Sequence, residues 1–230
     1  MPPKSTPRKT AVGAFRRRLL AWFRASGRKL PWRETRDPYR IVVSEFMLQQ
    51  TQVARVVDFY DRFLERYPTV GDLAKAELSA VRESWEGLGY YRRAAHLHEL
   101  AQVVVDEHDG VVPSDVDLLR TLPGVGRYTA GAVASFAYQR AEPAVDTNVA
   151  RVLRRAFHPR AGRRARDTAK LWNTAGALVP PAGPDAWAFN QGLMELGALI
   201  CTARVARCGE CPVRPVCKTG RLNVRRSPSA

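Results

Sequence analysis

All four cysteines of this 230-residue chain fall between Cys201 and Cys217, in the pattern Cys201-x6-Cys208-x2-Cys211-Pro-x4-Cys217. Core cysteines scatter along a sequence, and a secreted disulfide framework distributes its bridges over the whole chain. Four thiols in one short segment can instead close around a single soft metal centre. An all-thiolate set of four suits zinc or an iron–sulfur cluster, and spacing alone leaves both open.

The rest of the chain reads as helices. Phe15, Leu19, Trp22 and Phe23 recur at helical spacing, with Arg16, Arg17 and Arg18 on the other side. Gly27 to Pro31 break that helix, and Asp37-Pro38 supplies an N-cap and a first-turn proline for a helix expected to run through Val57. Gly71-Asp72 and Ser79 mark later starts, Gly87-Leu88-Gly89 a sharp interruption, and Arg92 to His108 a further helix ending near Gly110. No stretch sustains the alternation of a strand, so the expected class is all-α. Residues 1–10 read as a disordered basic arm.

Charge points to the partner. Lys and Arg total 37 against 22 acidic residues, a net +15 with a pI near 10.4. An excess of that size faces a polyanion, foremost nucleic acid. Between Arg151 and Arg166 arginine is dense enough to predict a DNA-facing surface. No apolar run reaches the ~20 residues of a membrane span, and Leu19-Leu20-Ala21-Trp22-Phe23 is too short for a signal-peptide core. The expectation is a cytoplasmic, DNA-associated monomer with no membrane partner.

Leu122-Pro-Gly-Val-Gly126-Arg-Tyr-Thr-Ala-Gly131 lies between two helical patterns. Gly124 and Gly126 permit a tight hairpin with positive φ and close backbone approach, and the helix beginning near Arg127 offers its N-terminal N–H groups to a phosphate. The whole string resembles the helix-hairpin-helix of base-excision DNA glycosylases. Ser44-Glu45-Phe-Met-Leu48-Gln49-Gln50-Thr51-Gln52-Val53 resembles the signature of the MutY-type adenine glycosylases within that superfamily. Leu30-Pro-Trp32-Arg33, Gly87-Leu-Gly-Tyr90-Tyr91 and Val145-Asp146-Thr-Asn148-Val add to it, so the likeness extends from about Leu30 to Cys217.

The resemblance implies a two-lobed fold: a six-helix barrel over 30–143 carrying the hairpin, and an iron–sulfur lobe over 144–230 joined by the helix in 11–29. It implies a [4Fe–4S] cluster on Cys201, Cys208, Cys211 and Cys217, and double-stranded DNA with a mismatched or damaged pair as substrate. Glu45 sits at the position of the catalytic acid. Its neighbours Val42, Val43, Phe46 and Met47 predict a buried carboxyl with a raised pKa. Asp146 matches the carboxylate that stabilises or traps the cationic sugar, although the same residue is a natural helix N-cap. Trp32, Arg33, Leu48 and Gln191 correspond to residues lining the extruded base, and Gln50 and Tyr90 to the wedge entering the duplex. Leu122, Gly124, Val125 and Gly126 form the phosphate-binding hairpin. Tyr128 stands where strand-cleaving relatives keep a nucleophilic lysine, which implies a monofunctional enzyme.

Relatives of this type usually carry a further C-terminal domain that recognises 8-oxoguanine, whereas this sequence stops at Ala230. The expectation is therefore weaker selectivity for the base opposite adenine. A mismatch thymine or uracil glycosylase and a catalytically idle DNA-binding module stand as alternatives.

Overall fold

The computed structural model describes residues 9–162 and 164–224, so most of the basic arm expected over residues 1–10 lies outside the described residues; α1 already begins at Lys9. The helices in chain order are α1 (Lys9–Ser26), α2 (Pro38–Leu48), α3 (Val53–Arg66), α4 (Val70–Lys75), α5 (Leu78–Ser84) and α6 (Arg92–Glu107). They continue as α7 (Val116–Leu119), α8 (Arg127–Phe136), α9 (Thr147–Phe157), α10 (Ala165–Leu178), α11 (Pro184–Leu199) and α12 (Lys218–Val224). Among the described residues no strand forms beyond an isolated bridge between Cys201 and Ala206. The protein is all-α, and among those residues no helix is long and apolar enough to cross a membrane.

The chain divides into two compact units, 29–138 and a second made of 1–28 with 139–230. In the first unit α2 is central, packing on α3, α6 and α8. Its start follows from Asp37, whose Oδ1 accepts from the backbone N–H of Tyr39 at 2.9 Å and of Arg40 at 3.2 Å, with Pro38 in the first turn. A cap of this kind contributes about 1 kcal/mol. Phe63 meets Trp85 edge to face at 5.7 Å in the buried core, which also holds Ile41, Phe46 and Leu97.

α2 does not run through Val57 as its periodicity predicts. It stops at Leu48, the chain turns over Gln49–Gln52 with Gln50 at φ +57°, and α3 starts afresh at Val53. Hydrophobic periodicity passes through the break because Val53 and Val56 belong to a second amphipathic helix. The turn itself is held by a side chain from α6, the guanidinium of Arg93, which takes up carbonyls that α2 would otherwise bond internally.

In the second unit α1 packs along α11, and α9 lies against α10, α11 and α12. Phe15 of α1 is fully buried between Phe157 and Phe189, with ring centroids 5.0 and 6.4 Å away. Arg28, just beyond α1, donates through Nε and Nη2 to the two carboxylate oxygens of Glu195 on α11, each at 2.8 Å. The Glu195 side chain is wholly buried, so the forked geometry of arginine is what makes its charge tolerable there.

Candidate functional site

Glu45 lies in the last two turns of α2 and is 3% exposed, between buried Ser44 and Phe46. The α7–α8 hairpin is pinned beside it. Gly124 has φ +73°, and a Cβ there would come within 2.9 Å of both the Phe46 ring and His96 Cβ. Leu122 and Val125 are buried. Of the two hairpin glycines only Gly124 has a positive φ: Gly126 is extended, at φ −88°, and a Cβ there would meet no atom within 4 Å. It serves instead as N-cap of α8, and its carbonyl accepts from Ala130 N–H at 3.0 Å. Tyr128, half-buried, stands in the first turn of that helix.

Trp32 is buried in a short 3-10 turn, Pro31–Arg33, edge-on to Tyr60 at 5.5 Å, while Arg33 beside it is half-buried. Leu48 closes α2 and is half-buried. Gln50 and Tyr90 are exposed, Tyr90 by 61%, and both have positive φ, at +57° and +51°. The structure thus brings Trp32, Arg33, Glu45, Leu48, Gln50, Tyr90 and the hairpin into the first unit. Asp146, Gln191 and the cysteines belong to the second. Gln191 is buried on α11.

Asp146 is the N-cap of α9: its Oδ1 accepts from Val149 N–H at 2.6 Å and its Oδ2 from Asn148 Nδ2 at 2.9 Å. Each carboxylate oxygen has two acceptor positions, so the cap leaves further capacity on both. Asn148 Oδ1 in turn accepts from Arg151 Nη2 at 2.6 Å, and Arg151 Nε donates to the Cys201 carbonyl at 2.7 Å. Burial lowers the pKa of Arg151, although guanidinium remains charged at any working pH. Arg155 donates to the carbonyls of Cys201 and Thr202 at 3.3 and 2.8 Å. Arg151 and Arg155 therefore face the protein's own carbonyls, whereas Arg160, Arg164 and Arg166 of the same arginine-rich stretch are exposed.

Cys201, Cys208, Cys211 and Cys217 are half-buried and form no disulfide, and they line one cavity together with Arg155, Arg207 and Arg214. Arg155 Nη1 lies 3.3 Å from Cys201 Sγ, and Gly220 N–H donates to Cys217 Sγ at 3.3 Å. Burial pushes the Cys211 thiol up to about 11 and raises Cys217 as well. Among the described residues no three His, Cys, Asp or Glu side chains are gathered closely enough to hold a single ion. The donor chemistry and the donors around the sulfurs fit a soft, anionic centre.

One residue of this region has no counterpart among those the sequence singles out. Arg93 carries its guanidinium into the turn that holds Gln50, yet nothing in the string Tyr91-Arg92-Arg93-Ala94 separates it from its exposed neighbour Arg92.

A hairpin of this form beside a buried carboxyl, followed by a four-cysteine loop, defines a class of DNA repair proteins. Residues 43–174 match the HhH-GPD superfamily of base excision DNA repair proteins, and the chain belongs to that superfamily. It is 50% identical over 198 residues to the adenine DNA glycosylase of Mycobacterium tuberculosis (strain H37Rv), covering 85% of this chain and 64% of that one. It is 41% identical over 212 residues to the thymine-DNA glycosylase of Aeropyrum pernix, covering 91% and 95%. The structure of a thermostable thymine-DNA glycosylase matches with a TM-score of 0.85 at 33% identity, covering 93% of this chain and 98% of that one. The chain spans less than two-thirds of the length of the adenine glycosylase it resembles.

Proposed function

We propose that the chain hydrolyses the N-glycosidic bond of adenine mispaired with guanine or 8-oxoguanine in double-stranded DNA, leaving the strand unbroken. The observation that carries this reading is the 50% identity to an adenine DNA glycosylase over 85% of the chain. The net charge of +15 supports a phosphate-bearing partner.

In this reading the adenine leaves the stack, because its glycosidic bond is out of reach within a duplex. Gln50 and Tyr90 enter the gap, and Trp32, Arg33, Leu48 and Gln191 contact the extruded base. Leu122, Gly124, Val125 and Gly126 present backbone to a phosphate at the start of α8. Glu45, buried and protonated, donates its proton to the purine ring, so that adenine departs as a neutral base with the bonding electron pair. Asp146 opposes the positive charge that develops on the sugar, and water adds at the vacated carbon and loses a proton.

Cys201, Cys208, Cys211 and Cys217 would hold a [4Fe–4S] cluster. Bound there, it supplies a covalent tie that fixes the loop and takes no part in breaking the bond. Arg204 and Arg207, exposed on that loop, are placed to meet phosphates.

Replacing Glu45 by Gln tests the reaction. Removal of a general acid typically costs about 10²–10⁴ in rate, so the variant should bind a mismatch yet excise almost nothing. Excision at the wild-type rate would overturn the assignment. A second reading, excision of thymine opposite guanine, is favoured by the 95% coverage of the Aeropyrum pernix enzyme. Single-turnover rates on A opposite G, A opposite 8-oxoguanine and T opposite G separate the two, and processing of T alone would replace adenine as the substrate.

A further inference from the structure

Arg93 is 7% exposed in the first turn of α6, and its guanidinium sits between two turns far apart in sequence. Toward the end of α2, Nη1 donates to the carbonyls of Phe46, Met47 and Gln49 at 2.9, 2.7 and 2.5 Å. Nη2 donates to Thr51 Oγ1 at 3.0 Å, then across to the carbonyls of Leu88 and Gly89 at 3.3 and 2.9 Å. Nε reaches the carbonyl of Tyr90 at 3.4 Å, and the guanidinium carbon lies 5.6 Å from the centre of the Tyr90 ring and 5.5 Å from that of Trp85. The bridged segments are those that hold Gln50 and Tyr90 in left-handed conformations uncommon for residues with side chains.

We propose that Arg93 is a positioning residue that locks the Gln49–Thr51 and Leu88–Tyr90 turns into one platform, so that Gln50 and Tyr90 enter the duplex as a unit. The role rests on the reading of Gln50 and Tyr90 as the wedge. Five N–H donors fixed in one plane let a single side chain satisfy both turns at once; the ammonium of a lysine, a point charge with three donors, cannot span them. A wedge whose halves move independently opens the pair less efficiently.

Arg93→Lys tests this, with Thr51→Val as a milder variant that removes one acceptor and leaves the guanidinium in place. Amide hydrogen exchange of the free protein comes first. In Arg93→Lys the Gln49–Thr51 and Leu88–Tyr90 segments should both exchange faster, while the α3 and α8 amides stay protected. Single-turnover excision is then compared on adenine opposite guanine and on adenine opposite an abasic analogue, where no pair must be opened. On the paired adenine the rate should fall about 10- to 100-fold, the scale on which small misplacements act. On the unpaired adenine it should return to within about threefold of wild type (RT ln 3 is about 0.65 kcal/mol). Thr51→Val should show a smaller loss of the same pattern.

Equal losses on both duplexes would overturn the proposal, since Arg93 would then act through α2 and Glu45 rather than through the wedge. So would loosening of only one segment, or of the whole unit. Failure of the wild-type protein to excise either adenine defeats the adenine reading itself, while the exchange arm still reports whether Arg93 couples the turns.

Discussion

The two hairpin glycines look alike in Pro123-Gly-Val-Gly126 and should respond differently to the same added methyl group. Gly124→Ala forces a side chain into φ +73°, a left-handed conformation that costs roughly 1–2 kcal/mol. The new Cβ would also lie 2.9 Å from His96 Cβ and from the Phe46 ring, and Phe46 is fully packed, so overpacking adds about 1–3 kcal/mol. The total is roughly 2–5 kcal/mol, which in a chain of this size lowers the melting temperature by at least about 4 °C. Gly126→Ala meets no atom within 4 Å and keeps an ordinary φ of −88°. Its cost is the weaker N-capping of alanine, under about 1 kcal/mol. Urea titrations followed by circular dichroism, with unchanged m-values, measure both. A Gly124→Ala protein as stable as wild type, or a Gly126→Ala protein as destabilised as Gly124→Ala, would refute the reasoning.

Three further outcomes are expected. Protein purified without air should be brown and hold about four irons per chain, lost in Cys217→Ala; stoichiometric zinc without iron would replace the cluster assignment. Borohydride should trap almost no covalent complex with DNA, because the phenol of Tyr128 cannot form an imine, and strand breaks should need alkali or heat. Efficient trapping abolished by changing a lysine would expose a nucleophile elsewhere. His158 is held below the usual imidazole pKa by burial, then by Lys218 and Lys170, with Asp167 opposing. Unfolding therefore frees it to bind a proton: its contribution is fully present above about pH 6.5 and lost as pH falls from there toward the lowered folded value. Part of the acid-side drop in melting temperature should disappear in His158→Asn, and parallel curves for the two proteins would count against it.

The sequence by itself determined the helical class, the capped start at Asp37-Pro38, the interruption at Gly87-Leu88-Gly89 and the helix from Arg92, because caps, breakers and periodicity are local chemistry. It also carried the superfamily, in short strings whose order survives without coordinates. What it could not express were interactions between segments distant along the chain. The end of α2 at Leu48 depends on a guanidinium 45 positions further on. Gly124 differs from Gly126 because Phe46 and His96 close over only one of them. Arg151 and Arg155 look like surface charge in a basic run, yet they are spent on the carbonyls around Cys201. A long cation reads the same in sequence whether it meets a phosphate or caps a buried turn. Only the tertiary structure, by bringing unpaired carbonyls within reach, decides which it does.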